Sequence, residues 1–254
     1  MKKLILATLI LSLGTSVFAK EIIQQPVVEE VQEEVVEIAP VEAVVEPVKE
    51  QKRDTHIYFK AGANLISRYS EYKDKGLYGD PEQKITKGKT KGFGYELAIE
   101  GTKDVTDNLE MGLGIAYQNN NEFKKYSYMI EQESESTTFG KYNSVPVYLT
   151  GKYNFNTDSN WKPYIKANLG YSFNIQEKDV KNYYENGRDS YKLKVKNGVY
   201  AGIGTGVEYD NFLVDLTYSV NYAKATIHGD NAKTKSQRLD YGRIVLSVGY
   251  KLDI

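Results

Sequence analysis

The chain has 254 residues, with 33 basic and 34 acidic side chains and a formal net charge of −1. Charges this evenly balanced exclude a nucleic-acid binder held by a basic patch, and the absence of cysteine excludes a disulfide framework or a thiolate metal site. Two histidines, His56 and His228, leave little material for a histidine-based centre, so no catalytic residue, metal ligand or cofactor is assigned.

Residues 1–19 read as a secretory signal peptide. Lys2 and Lys3 form a basic start, a short apolar run follows, and Val17, Phe18 and Ala19 give a small-x-Ala ending. The run is too short for a membrane helix, which needs about 20 apolar residues. Residues 20–53 are a different material. They hold nine Glu, three Pro, no Gly and no aromatics. Too few large side chains are present to build a core, so an extended and mostly disordered periplasmic arm is expected. Such an arm is either a solvated spacer or a contact to peptidoglycan or a periplasmic protein.

From residue 54 the pattern changes to alternating strands. Ile57, Phe59, Ala61, Ala63 and Leu65 share one face, with Tyr58, Lys60, Gly62 and Asn64 on the other. After a long polar connection, Phe93, Tyr95, Leu97 and Ile99 oppose Gly94, Glu96, Ala98 and Glu100. A turn at 103–106 leads to Leu109, Met111, Leu113, Ile115 and Tyr117, opposite Glu110, Gly112, Gly114, Ala116 and Gln118. A fourth strand sets Val145, Val147, Leu149, Tyr153 and Phe155 against Ser144, Tyr148, Thr150 and Lys152.

The second half repeats the layout. A turn at 157–160 precedes Trp161, Ile165, Ala167, Leu169, Tyr171 and Phe173, opposite Lys166, Asn168, Gly170, Ser172 and Asn174. Val199, Ala201, Ile203, Val207 and Tyr209 oppose Gly202, Gly204, Gly206 and Glu208. A tight turn at Asp210 and Asn211 leads to Phe212, Val214, Leu216, Tyr218, Val220 and Tyr222. The last strand, 243–254, puts Ile244, Leu246, Val248, Tyr250, Leu252 and Ile254 on one face. Tyr250, Leu252 and Ile254 are expected to close the barrel.

Eight strands are thus joined alternately by short turns and by long polar connections near 73–91, 119–141, 177–197 and 224–238. Tight turns at one rim and long loops at the other are what bacterial outer-membrane barrels show. The expected fold is all-β: an eight-stranded antiparallel up-and-down transmembrane barrel over 54–254. Alternation alone does not say which face meets lipid, but size does. One face carries Phe, Tyr, Leu, Ile and Val, the other many small residues, which suit the narrow interior of eight strands. Aromatics fall near strand ends. Phe59, Phe155, Trp161, Tyr209, Phe212 and Tyr250 gather towards one rim, and Tyr117, Tyr171, Phe173, Tyr218 and Tyr222 towards the other. Two such girdles are expected at the membrane interfaces.

The small-residue face also carries balanced charge: Lys60, Lys152, Lys166, Arg243 and Lys251 against Glu96, Glu100, Glu110, Glu208 and Asp215. Unpaired charge in a narrow lumen is costly, so a network of ion pairs is expected. These groups either line a selective pore or plug the interior. An eight-stranded interior is just filled by side chains, which favours the plug.

The signal peptide, the eight-strand layout and the terminal GYKLDI together resemble the small outer-membrane barrels of the OmpA transmembrane-domain and OmpX type. Ile254 stands where many members carry Phe. The resemblance covers about 55–254. It implies an outer-membrane location and roles in envelope integrity, adhesion or immune evasion. The partners it implies are outer-membrane lipid, the barrel-assembly machinery, and a host surface or matrix reached through the loops, with no nucleic acid.

The leading functional reading is a non-enzymatic, monomeric surface barrel, since loops on a rigid scaffold commonly carry binding. A small pore, a lipid-modifying or proteolytic barrel enzyme, and a soluble lipocalin-type barrel are the alternatives. His56 and His228 fall at opposite rims, so they form no common site. His228 with Asp230 is the one weak enzymatic pairing.

Overall fold

The computed structural model describes residues 54–74, 83–86, 88–130, 133–184, 187–229 and 236–254. The expected signal peptide, the acidic arm and Asp230 lie outside them. Eight long strands close into one barrel: β1 (Thr55–Tyr69), β2 (Tyr95–Asp104), β3 (Leu109–Asn119), β4 (Asn143–Asn154), β5 (Trp161–Ile175), β6 (Gly198–Tyr209), β7 (Phe212–Asn221) and β8 (Tyr241–Asp253). Each pairs antiparallel with its chain neighbours, and β1 pairs with β8 to close the ring, for example Phe59 opposite Tyr250 and Ala61 opposite Val248. Closure leaves no barrel edge, which a chain crossing hydrocarbon requires, because backbone groups there find no water.

Side-chain size sets the two faces. Leu113, Leu169 and Ile203 are 61–63% exposed on the outside, whereas Glu110, Lys152, Asp215 and Arg243 are buried inside. The outer band is therefore aliphatic and aromatic, and the interior is small, aromatic and charged. Thr205 is a polar exception on the outer face, and its hydroxyl is satisfied by donating to the Tyr164 carbonyl at 2.9 Å. One β-bulge interrupts β1 near Asn64, leaving Leu65 and Ile66 both exposed. A bulge inserts one unpaired residue and so turns two successive side chains outward.

Several boundaries differ from the sequence reading. β2 runs to Asp104, whose amide donates to the Asp54 carbonyl, so the turn is residues 105–108 rather than 103–106. Thr106 shapes it by accepting from the Asn108 and Leu109 amides. Phe93 precedes β2, and Phe155 follows β4. β8 starts at Tyr241, two residues earlier than expected, and ends at Asp253; the Ile254 amide still donates to the Thr55 carbonyl. At the two-residue turn between β6 and β7, Asp210 adopts φ +51°, a left-handed conformation that Asp tolerates.

The long connections are not plain polar loops. Tyr126–Ile130, Glu133–Thr138, Val180–Tyr184, Gly187–Lys196, Lys224–His228 and Gln237–Arg238 hydrogen-bond into a second, six-stranded sheet. Its buried face contributes Val180, Leu193, Val195, Ala225 and Ile227 to an apolar cluster with Tyr69, Phe123, Phe139, Tyr142, Leu239 and Tyr241. Tyr69 stacks on Phe123 at 3.9 Å between ring centres and meets Tyr241 at 4.5 Å. Because Tyr69 ends β1 and Tyr241 begins β8, this cluster sits at the mouth on the rim of the long connections.

Candidate functional site

The interior is built in levels, from the short-turn rim upward. At that rim His56, at the start of β1, is held between two carboxylates. Its Nδ1 lies 2.7 Å from Asp253 Oδ1 and its Nε2 3.2 Å from Asp104 Oδ1. His56 thereby ties the ends of β8 and β2 to β1. His56, Asp104 and Glu110 bring three possible ligand atoms within 4.8 Å of one another. Glu110 is already saturated, however. It accepts from Tyr58 (2.8 Å), Thr102 (3.0 Å), Lys152 (3.1 Å) and Asn154 (2.7 Å). A carboxylate with all its lone pairs occupied is a poor donor for a cation, so the group reads as a clasp between strands.

The next level holds two interlocked ion-pair sets. Lys152 reaches Glu110 and, at 2.6 Å, Glu208, which also accepts from Lys251. Lys60 meets Glu100 at 2.5 Å and Asp215 at 3.7 Å, and Lys166 meets Asp215 at 2.7 Å. Tyrosines pack between them. The Tyr58 and Tyr164 rings each lie 4.7 Å from the Lys152 ammonium, and Tyr148 donates to Glu100 at 2.9 Å. Space among these groups amounts to about 10 Å³, no more than one water occupies.

Glycines make the room. Tyr148 and Tyr164 face Gly114 and Gly206 on the adjoining strands. A Cβ added at either glycine would come within 2.5 Å of the facing ring. The absence of a side chain is therefore what lets a tyrosine ring lie across the neighbouring strand.

Above this level Tyr148 and Tyr200 touch at 5.2 Å beside Ala98 and Ala116. Arg243, 2% exposed, then pairs with Glu96 at 2.7 Å and donates to Asn120 Oδ1 at 3.1 Å. Gln118 links Glu96 to Asn221. The apolar cluster closes the mouth, and its hydroxyls are satisfied locally: Tyr69 donates to the Asn121 carbonyl and Tyr142 to the Leu239 carbonyl. Burial pushes the Tyr142 hydroxyl well above the usual phenol range.

The structure brings all ten charged residues named from the sequence into the interior, every one within an ion pair. The aromatics point outward. Trp161 packs on Tyr209 at 4.6 Å and Phe212 on Tyr250 at 5.2 Å at the short-turn end. Tyr171 meets Phe173 at 5.4 Å at the other end, where Tyr117 is half-buried and accepts from Asn143. Tyr218 and Tyr222 are exposed above mid-height on β7 and just beyond it. Leu252 and Ile254 are exposed at the seam.

Sequence reasoning missed Tyr164, the clasp carboxylates Asp104 and Asp253, and the polar pair Asn120 and Asn121; it placed Gln118 on the inner face without giving it a role. Strand alternation would have found Tyr164, which has the same parity as Lys166. His228 lies in the extracellular sheet, far from His56, and its partner residue 230 is outside the described residues.

A family model described as the OmpW family matches residues 80–252. An uncharacterized protein, PM1543 of Pasteurella multocida, is 29% identical over 224 residues, covering 77% of this chain and 88% of that one. Among solved structures, the outer-membrane protein OprG of Pseudomonas aeruginosa aligns at 17% identity and TM-score 0.44, over 78% of this chain and 95% of that chain. The outer-membrane protein AlkL aligns at 10% identity and TM-score 0.42, over 87% and 98%. The chain belongs to the OmpW family and is an eight-stranded β-barrel of the bacterial outer membrane.

Proposed function

We propose that this chain is a non-conducting, non-enzymatic barrel that presents a preformed β-platform outside the cell for contact with a host surface, a matrix or the environment. One observation carries the reading: the long connections pair into a six-stranded sheet over their own apolar core. A surface ordered before contact loses little conformational entropy when a partner docks. Arg188, Asp189, Ser190, Lys192 and Lys194 stand exposed on it.

Two further features support the non-conducting and non-enzymatic parts. The interior is filled at the ion-pair level and again at the mouth. Among the described residues, neither histidine has a hydrogen bond to a hydroxyl, so neither is set to activate a serine, threonine or tyrosine nucleophile. The test replaces residues 180–196 with a short Gly-Ser turn and compares attachment of bacteria displaying either form to host cells and matrix. Reduced attachment is expected; equal attachment would end the adhesive reading.

A further inference from the structure

A second site stands on the outer wall, where the barrel meets the extracellular sheet. Lys196, Lys224 and Arg238 lie directly opposite one another on three adjacent strands. Facing like charges destabilise a sheet, and among the described residues only Arg238 has a carboxylate, Asp240, to offset it. Lys196 and Lys224 have no ion-pair partner among the described residues. Arg238 is steered by Asp240, which also accepts from the Ala223 amide. These groups line a groove of about 390 Å³, with Val199 and Tyr222 on its wall. A second groove of about 380 Å³ joins it at Asp240 and adds Arg68 over Ile66, Tyr218 and Ile244.

The height of the ladder decides what fits. Lys224 follows Tyr222 by two residues on the same outward face, which places it about 7 Å beyond the exposed aromatic rim. Aromatic rims mark the membrane–water interface, so the cations stand at headgroup level. The apolar side chains below them continue into the lipid-facing band. Four cations and one carboxylate above an apolar groove complement an amphiphile with an anionic head and several acyl chains.

We propose that this flank, formed by β1, β6, β7 and β8, binds a phosphorylated glycolipid of the outer leaflet. Its phosphate sits between Lys196, Lys224 and Arg238, and its acyl chains lie along Tyr218 and Ile244. This goes beyond the platform reading and does not depend on it. The test uses the refolded full chain in phosphatidylcholine nanodiscs doped with bisphosphorylated lipid A or its dephosphorylated form. Native mass spectrometry counts the lipid retained on release.

Retention of the phosphorylated form is expected to exceed that of the dephosphorylated form. A Lys196→Gln/Lys224→Gln variant is expected to lose more than about tenfold, since each basic group at an anionic lipid surface strengthens binding roughly fivefold. Both lysines are exposed, and unchanged heat-modifiable migration shows that the variant folds. Three results would overturn the assignment: equal retention of the two lipids, no loss in the variant, or displacement by inorganic phosphate or a soluble sulfated polysaccharide at concentrations that leave the acyl chains irrelevant.

Discussion

Lys152 on β4 reaches Glu208 on β6 at 2.6 Å, passing inside the intervening strand β5. The contact spans the lumen rather than following the sheet, and Lys251 on β8 meets the same carboxylate from the other side. Strands that are not neighbours are thus cross-braced through one buried anion.

Removing Lys152 breaks that brace while leaving Glu110 and Glu208 buried. Loss of one partner of a buried pair typically costs about 3–5 kcal/mol, because the remaining charge stays desolvated. Lys152→Met is therefore expected to lower the unfolding free energy of the barrel in vesicles by an amount in that range, read as a lower urea midpoint at unchanged slope. Glu110 keeps Tyr58, Thr102 and Asn154, and Glu208 keeps Lys251, so the lower half of the range is the sharper expectation. No change in midpoint would mean that the pair is not held in the folded state.

Two glycines on β6 give a matched comparison. A Cβ at Gly206 would meet Tyr164 Cζ at 2.5 Å and the Val214 carbonyl at 2.6 Å. At Gly202 the nearest atoms are 3.4–3.6 Å away, ordinary contact distances. Overpacking costs about 1–3 kcal/mol, so Gly206→Ala should destabilise while Gly202→Ala is near neutral or mildly stabilising. Equal unfolding midpoints for the two variants would refute the ring-over-glycine packing.

The mouth should respond separately from the barrel. Phe123 is fully buried, stacks on Tyr69 and meets Phe139 at a tilt, 4.8 Å between ring centres. Phe123→Ala opens a cavity in the extracellular cluster, a change worth about 3–5 kcal/mol in a well-packed core. Trypsin should then cut the extracellular sheet faster, with the barrel still shifting on heating in gels. Simultaneous loss of both would show that the two sheets fold as one unit.

A pH effect is expected at one surface pair. Lys178 donates to Glu122 at 3.2 Å, and that hydrogen bond holds the carboxyl below its usual range. A lowered folded value means the contribution is present above the unfolded value and is lost as pH falls through the folded one. Both groups are largely exposed, so the effect is small and screened by salt. Lys178→Met should raise the Glu122 titration midpoint measured by carbonyl NMR; an unchanged midpoint would remove the pairing.

The barrel was legible because its signal is local. Alternation over ten or so residues placed Leu113 outside and Gly114 inside, and the ten lumen charges followed from parity. What escaped was non-local or interrupted. The clasp joins His56 to residues 48 and 197 positions away, a relation no window reveals. Pro163 breaks the aromatic–aliphatic rhythm beside Tyr164, hiding an inward ring. The sequence KLKVK did carry a strand signal, with Leu193 and Val195 turned in, but a polar stretch between two membrane strands reads first as loop. Its partner strand, Lys224–His228, lies too far along the chain for any such window to join them.

Conductance provides the last and most discriminating expectation. The interior is obstructed in series, by the ion pairs with Tyr58, Tyr148 and Tyr164 at the waist, by the cluster around Phe123 and Leu239 at the mouth, and between these levels by the buried Arg243 paired with Glu96, beside Gln118. Obstructions in series do not add: removing one leaves the others to block ions. The native protein should therefore show no unitary steps in planar bilayers. Tyr148→Ala with Lys152→Ala should also stay silent because the mouth remains shut. Phe123→Ala with Leu239→Ala should stay silent because the waist remains shut. The fourfold variant should stay silent as well while Arg243 and Glu96 fill the middle, and small ions should pass only when Arg243→Ala and Glu96→Ala are added. Steps in the native protein would overturn the closed interior, and steps in one double variant would show that its intact levels are not barriers.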